Sequence, residues 1–178
     1  SPSYVNPDSF HASVKIPNTV ARVGRNSPEK NFDLALEALR GLSWAIPCLL
    51  QNIPNSEIAN TLSKKQIFLI PSSFDQSPKV VREAMLSKCL VVASEAIPGI
   101  RDEENGFVCQ LTVQSIQDAL NRARWYTRKD EILHKAYMET LKAMRKTVET
   151  ELSVFYSVLR LPGPSTAARF HSDVKQDS

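Results

Sequence analysis

Two acidic residues, Asp75 and Glu83, lie in the stretch Pro71-Ser-Ser-Phe-Asp-Gln-Ser-Pro-Lys-Val-Val-Arg-Glu-Ala-Met85. This stretch leaves an apolar run and passes through a loop into a helix predicted to begin at Pro78. Glu83 would then lie between one and two turns into the helix, about 8 Å along its axis. A carboxylate accepts hydrogen bonds from neighbouring hydroxyls, so the pair could hold a polyhydroxylated ligand. The alternative is that both acids are solvated surface residues.

Two cations flank an earlier turn between a predicted strand and a predicted helix. Gly24 permits a tight turn, and a helix is predicted to begin at Pro28 with Ser27 as its cap. Arg25 and Lys30 lie on either side of this helix N-terminus, where free N–H groups and a partial positive charge favour phosphate. The segment matches neither a Walker loop nor a dinucleotide-binding fingerprint, so a plain turn with two solvated cations is the alternative.

Backbone N–H groups offer further contacts to a ligand. Those of Ser77, Lys79 and Val80 lie between the two acids, at the start of the second predicted helix. A third segment, 94–101, follows an apolar strand, and its Gly99 would let the backbone approach a ligand closely. An ordinary turn explains that segment equally well.

Apolar strands alternate with amphipathic helices along the chain. Strands are predicted at 19–23, 46–50, 67–70, 90–93 and 107–111, and helices at 28–40, 56–63 and 78–87. Ser115 and Asp118 form a predicted capping box, and helical patterns continue to about Leu159. A buried stripe is predicted for the helix after Ser115: Ile116, Ala119, Leu120 and Ala123.

The strand and helix pattern predicts an α/β fold of Rossmann-like type, with a parallel sheet and helices on both of its faces. The strands at 67–70 and 90–93 are apolar throughout, as expected when both faces are covered. Right-handed crossovers place the strand-to-helix loops along one edge of the sheet, where such folds bind ligands. The candidate residues above all fall in those loops or in the helices that follow them.

Composition narrows the function further. The chain has 178 residues, 42% hydrophobic and 23% charged, with a net charge of +3, which fits a folded domain. Neither clustered cations nor an aromatic ribonucleoprotein motif is present, which argues against nucleic acid as a partner. The cysteines are predicted to be buried free thiols, and the histidines have no metal-ligand spacing: Cys48, Cys89, Cys109, His11, His134 and His171.

Five motifs in this order and spacing resemble a known family. They are Val-Gly-Arg-x4-Lys-Asn-Phe-x5-Ala-Leu at 23–39, Ile-Phe-Leu-Ile-Pro-Ser-Ser with Asp-x7-Glu-Ala-Met at 67–85, Leu-Val-Val-Ala-Ser at 90–94, Pro-Gly-Ile-Arg at 98–101, and Glu-Asn-Gly-Phe-Val at 104–108. The set resembles the C-terminal, donor-binding domain of group 1 retaining glycosyltransferases of the GT-B fold. The resemblance covers roughly residues 4–160.

The resemblance implies a hexosyl transfer from a nucleotide-diphosphate sugar, such as UDP- or GDP-hexose, to an unknown acceptor. Arg25 and Lys30 would contact the donor diphosphate, and Asp75 the donor sugar. Gln76 and Ser77 would supply backbone donors, a role that the resemblance extends to Val80. Glu83 would hold the ribose hydroxyls. In this reading Arg25, Lys30 and Asp75 are catalytic, no metal is required, and the chemistry is electrostatic support of a departing nucleoside diphosphate.

The same resemblance sets expectations for organisation. Residues 1–18 are expected to be an interdomain linker, 19–160 the nucleotide-sugar-binding domain, and 161–178 a disordered tail. An N-terminal acceptor domain would complete the enzyme if the chain is a fragment, and the isolated domain would be inactive. The expected location is cytoplasmic, with peripheral contact at the inner face of the membrane.

A catalytically degenerate member of the family, serving as a scaffold or partner-binding domain, is the alternative. Asp75 stands where the family motif has Glu, and Gln76 and Ser77 replace Gly-Phe. The segment between Leu39 and Glu57 is short for the two strands and one helix that the family places there, and the loops of that region help to enclose the base.

Overall fold

The structure is a computed structural model that describes residues 7–10, 13–24, 27–51, 53–75 and 79–159. Three of the predicted site residues, Arg25, Gln76 and Ser77, lie outside the described residues, as do the predicted tail 161–178 and much of the predicted linker.

Within the described residues, five parallel strands form one sheet, as the sequence predicts. They are β1 (Ile16–Val23), β2 (Ile46–Leu50), β3 (Lys65–Ile70), β4 (Leu90–Ser94) and β5 (Phe107–Cys109). Their order across the sheet is β2-β1-β3-β4-β5. Strand β1 begins at Ile16, inside the predicted linker, and β5 ends at Cys109 rather than at Leu111.

Five α-helices connect or follow these strands in the same described part of the chain. They are α1 (Phe32–Arg40), α2 (Asn55–Ser63), α3 (Lys79–Leu86), α4 (Val113–Trp125) and α5 (Lys129–Val158), and short 3-10 turns occur at Pro7–Ser9 and Pro28–Lys30. None of these helices has both the length and the apolar character needed to cross a membrane.

The helices cover both faces of the sheet, and β3 shows how the sequence achieves this. Ile67 and Leu69 pack into a cluster with α1 and α4, whereas Phe68 and Ile70 pack into a second cluster with α2 and α3. Alternate side chains of a strand point to opposite faces, so a strand that is buried on both faces must be apolar throughout. The predicted stripe of α4 is buried in the first cluster: Ile116, Ala119, Leu120 and Ala123.

The predicted start of the first helix is wrong. The chain at Pro28–Lys30 forms a single 3-10 turn, and Asn31 then takes a left-handed conformation with φ of 47°, so α1 begins only at Phe32. Ser27 makes no capping bond from its side chain to the backbone. A left-handed residue cannot continue a right-handed helix, which explains the break.

The predicted capping box of Ser115 and Asp118 is also wrong. The cap of helix α4 is Thr112, three residues earlier, and its hydroxyl accepts a hydrogen bond from the Ser115 N–H. The Ser115 hydroxyl accepts instead from the Gln110 N–H, at 2.9 Å. Thr112 is a cap of the usual kind, since its extended backbone lets its oxygen reach an N–H of the first turn.

Chain direction gives the sheet two different edges. We call the side where the strands end the carboxyl edge; the N-termini of α1, α3 and α4 face it. We call the side where the strands begin the amino edge; the helices that return to the next strand end there. Strand order reverses between β1 and β3, because β1 leads outward to β2 and the chain then returns past β1. Folds of this kind bind ligands outside the carboxyl ends of the two strands at such a switch point.

The chain divides into a unit that ends at Leu141 and a second unit that begins at Lys142. The described part of the second unit is the remainder of α5 and the turn residue after it. Several of its apolar side chains are exposed: Leu152, Val154, Phe155, Val158 and Leu159.

Candidate functional site

The loops after β1 and β3 meet at the switch point and are bonded to each other. The side-chain amide of Asn31 donates to the Pro71 carbonyl, at 2.8 Å. The Ser73 N–H donates to the Glu29 carbonyl at 2.8 Å, and the Ser73 hydroxyl donates to the same oxygen at 3.2 Å. Each of these bonds ends on a backbone carbonyl of the other loop, so the two loops form one platform at the carboxyl edge.

An ion pair lies on this platform. The Lys30 ammonium is 2.6 Å from a carboxylate oxygen of Asp75, and the two side chains retain 28% and 20% of their exposure. The family resemblance implies separate roles for these residues, one at phosphate and one at a sugar. The structure brings them into contact and leaves both within reach of solvent.

Arg22, on β1, supports Lys30 from below. Its guanidinium Nη2 donates to the Lys30 carbonyl at 2.9 Å and lies 4.7 Å from the centre of the Phe32 ring. Arg22 is only 3% exposed, and burial lowers the pKa of its guanidinium. We find no hydrogen-bond partner for its Nε in the described structure. Sequence reasoning missed Arg22; the available signal was a cation inside a β-branched strand, where charge is costly without a role.

Glu83 lies in α3 and is 4% exposed. Burial raises the pKa of its carboxyl group, while the nearby cations Lys79 and Arg82 act in the opposite direction. The Lys79 ammonium is 3.5 Å from a Glu83 oxygen, one helical turn earlier. A buried acid with a half-exposed cation beside it is poised to accept hydrogen bonds from a polar ligand.

Smaller groups complete the carboxyl edge. The Ser94 hydroxyl, at the end of β4, donates to the Ser72 carbonyl and so joins the β3 loop to the neighbouring strand. Gly24 has φ of 139° and Gly99 has φ of 83°, and at both positions the space that a Cβ would fill is open. The Gly99 carbonyl accepts from the buried Asn105 amide at 2.9 Å, which orders the loop after β4.

The predicted site residues are therefore in part brought together. Lys30 and Asp75 are in contact across the switch point. Val80, half-buried, and Glu83, buried, both belong to α3, the helix that follows the Asp75 loop. The placement of Arg25, Gln76 and Ser77 stays a prediction.

Metal ligands and thiols do not add to this site. Among the residues that the structure describes, no group of three or more His, Cys, Asp or Glu side chains is placed to hold a metal ion. Cys89 and Cys109 are buried free thiols as predicted, but Cys48, on the edge strand β2, is only partly buried, since no strand among the described residues pairs with the outer side of β2.

Solved structures share this fold. The C-terminal domain of a glycosyl transferase group 1 family protein, LpcC, from Francisella tularensis superposes with a TM-score of 0.67 at 17% identity, covering 79% of this chain and 97% of that one. Anabaena Alr3699/HepE in complex with UDP-glucose gives a TM-score of 0.72 at 16% identity, covering 84% and 56%. The catalytic domain of cholesterol-alpha-glucosyltransferase from Helicobacter pylori gives 0.64 at 12%, covering 72% and 99%.

These comparisons confirm the Rossmann-like fold of a GT-B C-terminal domain. No protein-family model matches the sequence, and no curated protein sequence matches it. The chain spans nearly the whole of the isolated LpcC domain but about half the length of the HepE chain.

Proposed function

We propose that this chain is the donor-binding domain of a retaining glycosyltransferase of the GT-B fold. It would bind a nucleotide-diphosphate hexose at the carboxyl edge and take part in transfer of the hexosyl group to an acceptor. The observation that carries the proposal is the Lys30–Asp75 pair, which lies where strand order reverses on a fold shared with HepE bound to UDP-glucose.

The diphosphate would bind against the turn after β1. Lys30 supplies a positive charge there, Arg25 is a second cation of the same loop, and the open space beside Gly24 admits a ligand close to the backbone. Because Lys30 is anchored through its own carbonyl by buried Arg22, it can change partner from Asp75 to phosphate without moving its backbone. Its cation would stabilise charge that develops on the leaving diphosphate.

The sugar and the ribose would contact the two acids. Released from Lys30, the Asp75 carboxylate can accept hydrogen bonds from the hydroxyls of the hexose. Glu83 would accept from the ribose hydroxyls, with Lys79 keeping part of its charge in place despite burial. Gln76, Ser77 and Val80 would add backbone donors at the start of α3.

The acceptor site would lie on a further domain. The chain spans about half of the HepE chain, so that protein has residues beyond the part it covers. A donor domain alone leaves the reacting sugar open to water, and a second wall would be needed to orient an acceptor and exclude solvent.

Calorimetric titration tests the proposal. UDP, GDP and UDP-glucose are each titrated into the folded chain, and heat of binding is expected for at least one nucleotide. Lys30→Ala should weaken UDP and UDP-glucose alike by about tenfold or more, since a hydrogen bond to a charged group is worth ~1.5–3 kcal/mol. Lys64→Ala, which removes an exposed cation from the amino edge, is the matched control and should leave both affinities unchanged.

A second variant separates diphosphate binding by Lys30 from sugar binding by Asp75. Asp75→Asn frees Lys30 from its acidic partner, so the affinity for UDP should stay the same or rise, while the preference for UDP-glucose over UDP should fall. Equal losses for UDP and UDP-glucose would contradict a sugar-binding role for Asp75. Absence of heat with every nucleotide, on protein with native circular dichroism, would overturn donor binding.

A catalytically degenerate scaffold is the second candidate. One observation favours it: the charged candidate side chains that the structure describes already have partners, Lys30 with Asp75 and Glu83 with Lys79. In that case the pairs would be structural, and Glu83→Ala in the full-length protein would leave any transferase activity unchanged. A loss of activity with retained folding would exclude the scaffold.

A further inference from the structure

Two tryptophans and an arginine form an ordered cluster on the surface of the sheet unit. The Arg124 guanidinium lies 4.7 Å from the ring centre of Trp44 and 4.4 Å from that of Trp125. The Trp44 indole N–H donates to the Asn121 side-chain oxygen at 2.8 Å. We call Trp44, Arg124 and Trp125 the indole patch. Its order is notable because the Trp125 side chain is 69% exposed.

The indole patch lies at the amino edge, opposite the Lys30–Asp75 pair. Trp44 comes two residues before β2 begins, and Trp125 is the last residue of α4, which starts after β5 ends at the carboxyl edge and returns along the sheet. Ile46, the first residue of β2, is 50% exposed beside them in sequence. A ligand in the candidate site would therefore not cover the patch.

Cations lie at helix ends along the same edge. Arg40 ends α1, Lys64 follows α2 and Lys88 follows α3, whereas Lys129 begins α5 and donates through its ammonium to the Arg124 carbonyl at the end of α4. Helix C-termini favour positive charge, so the macrodipole explains these cations. It does not explain an exposed indole, since a large aromatic ring gains more from burial than any other side chain.

The charges of the amino edge are unevenly neutralised. Near β5, the acids are matched by cations: Asp102 and Glu103 pair with Arg122, and Glu104 pairs with Arg101 and Lys135. Near β2, the described structure gives no acidic partner for either Arg40 or Arg124 within the limits of an ion pair, although exposed Asp130 follows Lys129 in the chain. Arg124, which contacts both indoles, thus has no acidic partner in the described structure.

We propose that the indole patch is a contact site for an anionic lipid bilayer. Indole rings favour the interfacial zone of a membrane, where one end of the ring is apolar and the other can bond to water or headgroups. Lysines and arginines beside such a ring are attracted to anionic headgroups, each by about 1 kcal/mol. Arg124, held against both rings, would bind headgroup phosphate while Trp125 enters the interface.

The pattern fits lipid better than nucleic acid. Proteins that bind single strands place successive aromatic rings along a cationic groove, each free to stack on a base. Here both rings are stacked on the same guanidinium, and the exposed side chains beside them are aliphatic Ile46 and the indole itself. This proposal does not rest on the proposed enzymatic function.

Intrinsic fluorescence gives a direct test, because the only tryptophans of the chain are the two in the patch. The chain is mixed with vesicles of phosphatidylcholine, or of an equal mixture of phosphatidylcholine and phosphatidylglycerol. We expect a blue shift and quenching by brominated lipid with the mixed vesicles only. Salt near 1 M, where screening extends over about 3 Å, should reverse most of the binding.

Matched variants locate the contact. Trp125→Ala should weaken binding to mixed vesicles about tenfold, and Arg124→Gln about fivefold. Phe74→Ala removes an aromatic that is 64% exposed at the carboxyl edge, and Lys79→Gln removes a cation there; both should bind as the parent chain does. Binding is followed by vesicle co-sedimentation, so that variants lacking Trp125 remain measurable, and folding is checked by circular dichroism.

Three outcomes would overturn the proposal. The first is failure of mixed vesicles to shift or quench the fluorescence. The second is a fluorescence change with single-stranded RNA that exceeds the change with lipid, which would assign the patch to nucleic acid. The third is equal loss of binding in the Phe74→Ala and Trp125→Ala variants. Because nucleotide affinity is measured separately, failure here leaves the proposed donor site untouched.

Discussion

The two edges of the sheet use some of their polar side chains differently. At the carboxyl edge, the partly exposed Lys30 pairs with an acid, Asp75, on loops joined by hydrogen bonds such as that from the Asn31 side chain to the Pro71 carbonyl. At the amino edge, away from the ion pairs near β5, cations meet carbonyls and rings. Lys15 donates to the Ser87 carbonyl at 2.5 Å and to the Leu62 carbonyl at 3.4 Å, and Arg124 stacks on two indoles.

This difference follows from chain direction. In a parallel sheet with crossover helices, helix N-termini collect at one edge and helix C-termini at the other. The first set offers N–H groups and suits anions, and the second offers carbonyls and suits cations. An anion that binds the carboxyl edge must compete with Asp75 for Lys30, whereas a headgroup at the amino edge meets Arg124 without an acidic competitor.

The largest expected effect is the difference in thiol reactivity between the buried cysteines, Cys89 and Cys109, and Cys48 on the edge strand β2. Burial raises the pKa of Cys89, at the amino edge, and of Cys109, at the carboxyl edge, to about 11 in each case. Near pH 8 only about one in a thousand of these two thiols is ionised, so both should be labelled far more slowly than partly buried Cys48. Rapid labelling of Cys89 in native protein would show that the amino edge opens.

Two left-handed asparagines allow a direct comparison of the edges. Asn31 has φ of 47° and its amide bonds to Pro71, while Asn18, at the amino edge, has φ of 63° and bonds through its backbone N–H to Gln66. Asn31→Ala should lower the free energy of unfolding by about 2 kcal/mol, from backbone strain and a lost hydrogen bond. Asn18→Ala should cost about 1 kcal/mol, from strain alone.

Urea denaturation measures both changes. Asn31→Gly is the control, because glycine adopts the left-handed conformation freely and loses only the side-chain bond. It should cost less than Asn31→Ala. Equal losses for the two Asn31 variants would contradict the strain contribution at the carboxyl edge.

Glu83 should make stability depend on pH. Its folded pKa is raised by burial above the unfolded value near 4.3, so the folded state holds the proton more tightly. The free energy of unfolding should therefore fall as pH rises from about 4 through the raised pKa. Glu83→Gln lacks this loss, and its Tm should exceed that of the parent by more at pH 7 than at pH 4.

The exposed Glu57, in the first turn of α2, is the control for this measurement. Glu57→Gln should show no such widening of the Tm difference. A constant difference for Glu83→Gln between the two pH values would mean that Glu83 stays charged throughout.

The Lys30–Asp75 pair should contribute least to stability. Both side chains remain partly exposed to water, and pairs of this kind are worth under about 1 kcal/mol. Asp75→Asn should lower the free energy of unfolding by less than that amount, and less still at high salt. A larger loss would indicate that the pair holds the two loops together rather than waiting for a ligand.

The sheet was predictable because its causes are local. Apolar runs such as 67–70 and 90–93 predict strands buried on both faces, and the spacing from Ile116 to Ala123 predicts one helical face. The shorter signal at 46–50 also predicted the strand β2. Burial on two faces and helical periodicity both produce patterns in consecutive residues, so they can be recognised without knowledge of distant contacts.

Apart from the cap of α4, which is local, the features that sequence analysis missed depend on distant partners. Asn31 interrupts the helix because its amide finds the Pro71 carbonyl across the switch point, and no local signal announces that bond. The sequence predicted that Lys30 and Asp75 lie at the same edge of the sheet, but it did not predict their contact. Sequence analysis missed Arg22 because its role is a hydrogen bond to the Lys30 carbonyl, a contact that forms only in the folded chain.

The exposed side of β2 bears on how the protein behaves in concentrated solution. An unpaired strand is a template on which another chain can continue the sheet. Pro47 lies within this edge strand, β2, and pairs with Val20 of the neighbouring strand β1. Because proline has no backbone N–H, an incoming strand would find one hydrogen-bond donor fewer on β2. Pro47 therefore disfavours aggregation through this edge of the sheet.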